Sequence, residues 1–250
     1  MRSTSGSAGG NGVSPQKSLT VHPARNNLLS KLPPTELAAL LPLSTHVECN
    51  LRDVLSPSGQ RIQNVYFPLT GMISLVTELK DGTSLESMTV GCEGFAGLSL
   101  FHGVNTTLTM AMCQIEGEFL RLPAESFTGL LPEAPQLSLL LHRYAQFAHE
   151  VVAQSAACNS MHLIEQRCAR WLLISSDAVG SEDFGLTHEF LSQMLAVRRP
   201  GVTVAIGELE RMKLIGHRYG KITILDKKGL EKAACECYRT VKDRERELLA

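Results

Sequence analysis

The stretch Leu186-Thr187-His188-Glu189-Phe190-Leu191-Ser192-Gln193-Met194-Leu195-Ala196-Val197-Arg198-Arg199-Pro200-Gly201-Val202-Thr203-Val204-Ala205-Ile206-Gly207-Glu208-Leu209 holds two helical patterns separated by a short break. Leu191, Leu195, Val197, Val202, Ile206 and Leu209 give the two helices one shared apolar face. Thr187 can cap the first helix. Ser192 and Ala196 are small where the helices must approach and turn. The second helix is expected to start at Arg198 or Arg199, with Pro200 in its first turn, where a missing N–H costs nothing. This spacing predicts a helix-turn-helix that aims the start of its second helix into a DNA major groove. Arg199 suits guanine O6 and N7 bidentately, a contact worth roughly 1–3 kcal/mol of discrimination. Arg198, Thr187 and Thr203 suit phosphates, which fix register without reading sequence. A wing follows. The runs 214–218 and 221–225 read as two short strands joined through Tyr219-Gly220, with Arg218 and Lys221 at the tip for backbone contact.

Charge divides the chain in the same place. Residues 1–186 carry 11 Lys/Arg against 16 Asp/Glu, whereas residues 187–228 carry 8 against 4. A basic module beside an acidic body is what a domain meeting polyphosphate shows. Of the 250 residues 44% are hydrophobic and 20% charged, the composition of an ordinary globular chain. No run approaches the ~18 apolar residues of a membrane span, so no membrane partner is expected. The Ser/Gly-rich start lacks the apolar core of a secretory signal, and residues 1–22 read as a disordered tail. Seven cysteines, an odd number at irregular spacing, argue against a disulfide framework and for a reducing cytoplasm.

Upstream, Leu37, Leu40 and Leu41 mark a short helix after Pro33-Pro34 that Thr35 can cap. Residues 45–122 change to short β-rich runs broken by glycines. Asp81-Gly82 is a strong hairpin signal, since both residues tolerate positive φ. Strands at this spacing imply a sandwich or barrel. From Pro135 to Cys158 one long helix carries Leu137, Leu140, Tyr144, Phe147 and Val151 on a seam read as a subunit contact. A second helix is expected from Asn159-Ser160, and a single charged helix, capped by Asp226, over 227–248.

The Leu186-Thr187 cap, the Arg198-Arg199 pair, Leu214-Ile215 and the Gly220-Lys221 wing resemble the DNA-binding domain of the Crp/Fnr family. The Gly71 strand, the Asp81-Gly82 hairpin and the Gly91-x-Glu93-Gly94 loop resemble that family's cyclic-nucleotide-type β-roll. The resemblance spans residues 25–240. It implies an α+β chain with a β-roll sensor domain (23–132), dimerisation and linking helices (133–178) and a winged helix-turn-helix domain (179–250). It also implies a homodimer on a palindromic double-stranded operator with half-sites ~34 Å apart, and contact with RNA polymerase if the protein is an activator. A signal-dependent regulator without catalysis is the leading expectation. The effector pocket is expected around Gly91, Glu93, Gly94, Thr106 and Thr107.

The cyclic-nucleotide-binding members hold the phosphate with an Arg and a Ser/Thr. Thr106 and Thr107 align there, and residues 104–112 contain no cation. A buried phosphate would lose its charge-assisted bond, so a signal other than cyclic AMP is expected. No cofactor and no metal site is expected. An iron–sulfur cluster lacks its N-terminal cysteines, haem on His46, His102 or Cys92 has no second support, and Cys235-x-Cys237 on a continuous helix would diverge. Cys158 or Cys168 could serve redox sensing. Two alternatives stay open: a cupin-like metal enzyme, which would need His and carboxylate ligands to converge, and a regulator whose sensor is vestigial and ligand-free.

Overall fold

A computed structural model describes residues 22–249. All of the expected tail except His22 lies outside the described residues.

Two prolines start the first helix. Pro34 opens α1 (Pro34–Leu40) with Pro33 at the cap, so Thr35 lies inside the first turn and caps nothing. The roll comprises β1 (Thr45–Cys49), β2 (Val54–Ser56), β3 (Asn64–Pro68), β4 (Met72–Glu78), β5 (Ser84–Val90), the one-turn α2 (Leu98–Phe101), β6 (Thr109–Ile115), β7 (Gly117–Pro123) and α3 (Ala124–Leu130). Its strands pair antiparallel in two sheets, β1-β7-β3 and β2-β6-β4-β5. The β4–β5 hairpin forms where expected, but by a different turn. Leu79 N–H donates to Thr83 O at 2.8 Å, Gly82 N–H donates to Leu79 O at 2.9 Å, and only Gly82 takes positive φ, at 82°. That is a longer loop with glycine at the left-handed position, and Asp81 accepts from Thr83 N–H at 2.9 Å.

The long helix α4 (Pro135–Met161) completes the roll's core. Leu137, Leu141, Tyr144, Phe147 and Ala148 are buried in one cluster with Phe67, Phe95, Phe119 and Phe127. Phe95 lies at the centre, its ring centroid 5.3 Å from Phe67, 5.6 Å from Phe127 and 5.5 Å from Tyr144. Tyr144 can enter because Gly94 has no side chain; a Cβ there would lie 2.2–2.3 Å from Cε2, Cζ and the hydroxyl oxygen of the phenol. The start of α4 has no side-chain cap of its own. The buried carboxylate of Glu36 supplies it from α1, accepting from Gln136 and Leu137 N–H at 3.0 and 2.8 Å. Two otherwise orphaned donors and the positive helix end are thus satisfied by a residue a hundred positions earlier.

Past α4 the chain makes α5 (Ile164–Val179), β8 (Asp183–Gly185), α6 (His188–Met194), α7 (Arg199–Arg211), β9 (Ile215–Arg218), β10 (Lys221–Ile224), α8 (Lys227–Ala233) and α9 (Cys237–Leu249). The expected start of α5 at Asn159-Ser160 falls inside α4, which runs on until His162 turns extended. The charged terminal helix is two helices, because Ala234 is extended and Cys235 and Cys237 turn inward against Cys158. Asp226 does cap α8, accepting from Gly229 N–H at 2.9 Å. The winged module has its own core and a sheet ordered β8-β10-β9. That core also takes Met72, Val76 and Ile115 from the roll, so the module docks on the roll's four-stranded sheet. α9 runs back along α4, where Arg244 pairs with Glu150, and it ends with Leu249 in the roll's core.

Gly94→Ala is expected to cost ~1–3 kcal/mol through overpacking against Tyr144. Urea denaturation followed by circular dichroism measures it. Unchanged stability would show that Tyr144 can withdraw without loss.

Candidate nucleic-acid interface

Thr187 caps α6, its hydroxyl accepting from Phe190 N–H at 3.2 Å. The turn into α7 depends on Ala196, which takes φ 49°, and on the buried guanidinium of Arg167, which donates to Leu195 O from α5. Arg198 takes the cap position and Arg199 the first turn of α7, as the proline spacing predicts. Val202, Ala205, Ile206 and Leu209 form the inward face. Arg218 and Lys221 stand opposite each other across β9–β10, joined by Tyr219 (φ 49°) and Gly220 (φ 73°). Two consecutive left-handed residues make the tight hairpin turn that matches strand twist. Tyr219 is 97% exposed, with Arg218 stacked 5.9 Å from its ring centroid.

These parts are physically joined. Leu186 N–H donates to Gly220 O at 2.8 Å, which puts Thr187 beside the wing. The His188 and His217 rings stack at 4.6 Å, and His188 Nδ1 lies 3.1 Å from Thr203 Oγ1. Burial, then the neighbouring His217 and Arg199, hold His188 below its ordinary pKa. Thr203 Oγ1 also donates to Arg199 O at 3.2 Å. Thr187, Arg198, Arg199, Arg218 and Lys221 are exposed, and among the described residues none of these four cations forms an ion pair.

The expected effector residues separate. Gly91 and Glu93 line a cavity of about 290 Å³ enclosed by the roll, α4, α5 and α9. Gly94 is filled by Tyr144, while Thr106 pairs with Arg61 and Thr107 lines a pocket of about 70 Å³ on the far side of the sheet. The larger cavity places Glu86, Glu93, Asp177, Arg170 and Lys242 around apolar Met88, Trp171 and Met194. Glu86 bridges roll and winged module, accepting from Ser74 Oγ at 2.5 Å and Trp171 Nε1 at 3.2 Å. Enclosure pushes its carboxyl up to about 7, although Ser74, Arg170 and Trp171 pull the other way. Enclosure pushes Glu93 up to about 7 as well.

The residues expected on a subunit seam do not form one. Leu137, Leu140, Tyr144 and Phe147 are buried in their own roll, and Val151 packs against that core. Periodicity identified the apolar stripe but could not tell an internal partner from an external one. The outward side of α4 instead shows Leu139, Val152, Ala153, Ala156 and Ala157.

Of the haem candidates, His46 is engaged with Glu118 at 3.6 Å, His102 ends α2, and burial pushes Cys92 up to about 11. Burial likewise pushes Cys168 up to about 12, against a redox role. One group of possible metal donors comes together that the sequence does not suggest. Cys158, His162, Cys235 and Cys237 place their donor atoms within 4.8 Å of one another. The continuous helix that would splay Cys235 from Cys237 is interrupted: α8 ends at Ala233, Cys235 lies in the break and Cys237 opens α9.

A family model of the Crp-like helix-turn-helix domain matches residues 166–233. No curated protein matches the chain by sequence. The fold is similar to that of a protein from Eubacterium rectale assigned to the Crp/Fnr transcriptional regulators (TM-score 0.64, 16% identity, covering 82% of this chain and 96% of that one). It is also similar to a CRP-family transcriptional regulator from Thermus thermophilus (0.63, 20%, 75% and 95%). FixK2 from Bradyrhizobium japonicum is a third (0.62, 14%, 77% and 98%). The chain is therefore an α+β protein with a winged helix-turn-helix module. More narrowly, it has the fold of the Crp/Fnr family of transcription regulators. Among the described residues no helix is long and apolar enough to cross a membrane.

Two measurements follow from this geometry. A Cβ at Gly207 would meet nothing within 4 Å, so Gly207→Ala should raise stability by ~0.5–1 kcal/mol in thermal melts. A carboxyl whose folded pKa lies near 7, above its ordinary 4.5, stabilises the fold fully below about 4.5, and that contribution disappears as pH rises through 7. Glu86→Gln should therefore be more stable than wild type at pH 8, by ~1–2 kcal/mol after allowing for hydration of the cavity side. The gap should narrow towards pH 5; a gap that widens on acidification would refute the assignment.

Proposed function

We propose that the chain is a homodimeric, sequence-specific DNA-binding transcription regulator of the cytoplasm, controlled through its roll by a signal other than cyclic AMP. One observation carries this reading. The unpaired cations Arg198 and Arg199 open a helix whose other face is buried, beside a wing tipped by Arg218 and Lys221. Arg199 reads a base edge, while Arg198, Thr187, Arg218 and Lys221 hold phosphates. Dimerisation uses the outward side of α4, where Ala153, Ala156 and Ala157 allow a second α4 to approach closely. Each subunit then reads one half of a palindrome ~34 Å apart; RNA polymerase is a further partner if the regulator activates.

Two features support a signal other than cyclic AMP. The pocket at Thr107 is only about 70 Å³, well under the ~300 Å³ of ordinary ligand sites. The nearby Arg61 faces Glu125 at 3.6 Å on the surface. The cavity beneath Glu86 and Glu93 is the better sensory site, because ligation there would act directly on the Glu86–Trp171 contact with the winged module.

Selection of duplexes from a random library at near-physiological salt tests the reading. Recovery of a palindrome is expected, with affinity falling steeply as salt rises. Arg199→Ala should abolish sequence preference while leaving weak non-specific binding, and Ala156→Arg should give monomers in sedimentation analysis. Absence of DNA binding at low salt would overturn the proposal.

A further inference from the structure

Cys158 lies near the end of α4 and His162 one helical turn further on, in the link to α5. Cys235 and Cys237 flank Glu236 in the break between α8 and α9. The three thiols are buried together, forming a cluster apart from both cores. Cys158 Sγ lies 3.5 Å from Cys235 Sγ, and Cys237 Sγ lies 3.5 Å from His162 Nδ1. A tetrahedral ion with metal–sulfur bonds of ~2.3 Å and metal–nitrogen bonds of ~2.0 Å separates its ligand atoms by roughly 3.5–3.8 Å. A disulfide would need ~2.05 Å. Both 3.5 Å separations match the tetrahedral spacing, and all four donor atoms lie within 4.8 Å of one another.

The surroundings have the same logic. His162 presents Nδ1 to the thiols, and its Nε2 lies 3.2 Å from Glu236 Oε1. A carboxylate on the far nitrogen is the usual way to fix the orientation of a metal-binding imidazole. Gln154 donates to Cys237 Sγ at 3.0 Å, a polar contact that fixes the position of that sulfur. Three thiolates and one imidazole, with no carboxylate among the donors, select zinc-like ions over magnesium or calcium. Four protein donors leave no open position, so the site is structural rather than catalytic.

We propose that Cys158, His162, Cys235 and Cys237 bind one zinc-class divalent ion, which clamps both chain connections of the winged module to the end of α4. Cys235 and Cys237 lie beyond the matched helix-turn-helix region, which ends at residue 233, so the site is an addition to that module. The ion would set how far the module can move relative to the long helix.

Metal analysis of the full-length chain, purified without a histidine tag and without chelator, tests this. One zinc per chain is expected, and exchange with cobalt(II) should give the intense visible spectrum of a tetrahedral thiolate site. His162→Ala and Cys235→Ser should lose the ion, whereas His162→Cys, which restores a fourth soft donor, should keep it. Chelation should lower the melting temperature of wild type by ~10 °C and leave that of Cys235→Ser unchanged. A metal-free protein with a Cys158–Cys235 disulfide by mass spectrometry would overturn the proposal, as would iron with inorganic sulfide. None of these readouts involves DNA, so they stand or fall separately from the regulatory reading.

Discussion

Tyr144 reaches from α4 into the roll through the space left by Gly94, and its ring packs on Phe95 at the centre of the aromatic core. This contact makes the long helix part of the roll rather than an appendage to it. Once one side of α4 is committed to Phe95 and its neighbours, the helix has two sides left. α9 takes one, fastened by Arg244 on Glu150, and the other remains at the surface. The position of α4 also sets where its last turn ends, and hence where Cys158 and His162 meet the returning chain. The carboxylate of Glu36 holds the opposite end of the same helix. A helix fixed at its start, middle and end is a rigid reference for the module beyond it.

What was legible in the sequence follows from the range of the forces involved. The helix-turn-helix and wing depend on local signals: a threonine cap, a proline in a first turn, a Tyr-Gly pair between two short β-rich runs. Each acts over a few residues, and each was read correctly. The stripe from Leu137 to Val151 was legible as a stripe, but an apolar seam looks the same whether it meets its own domain or a second subunit. Cys235 and Cys237 were misjudged for a related reason. Their divergence assumed an unbroken helix, and the break comes from burial against Cys158, a contact spanning 77 positions. Arg167 and Glu36 left no local signal at all, because each acts on backbone groups of a distant segment. The effector residues were read as one site by family resemblance; in the fold a sheet stands between Gly91 and Thr107.

The two polar regions of the molecule work by opposite means. The cations at the start of α7 and on the wing are exposed and unpaired among the described residues, so water screens them. The carboxyls of the inner cavity are enclosed, so even small changes in their surroundings move their protonation. Glu86 belongs to this inner set and accepts from Trp171 of the winged module, and Met194 at the end of α6 lines the same cavity. Coupling through these contacts requires only that a ligand prefer one of two arrangements of them.

Because His162 and Glu236 meet side by side, the winged module leaves the main scaffold and returns to it at a single point. Topologically it is an insertion between α4 and α9, which together with the roll would form a closed body without it. The module is held by a doubled chain connection and also by its packing on the roll's sheet through Met72, Val76 and Ile115. Moving it would require that sheet contact to open while the two connections stay together.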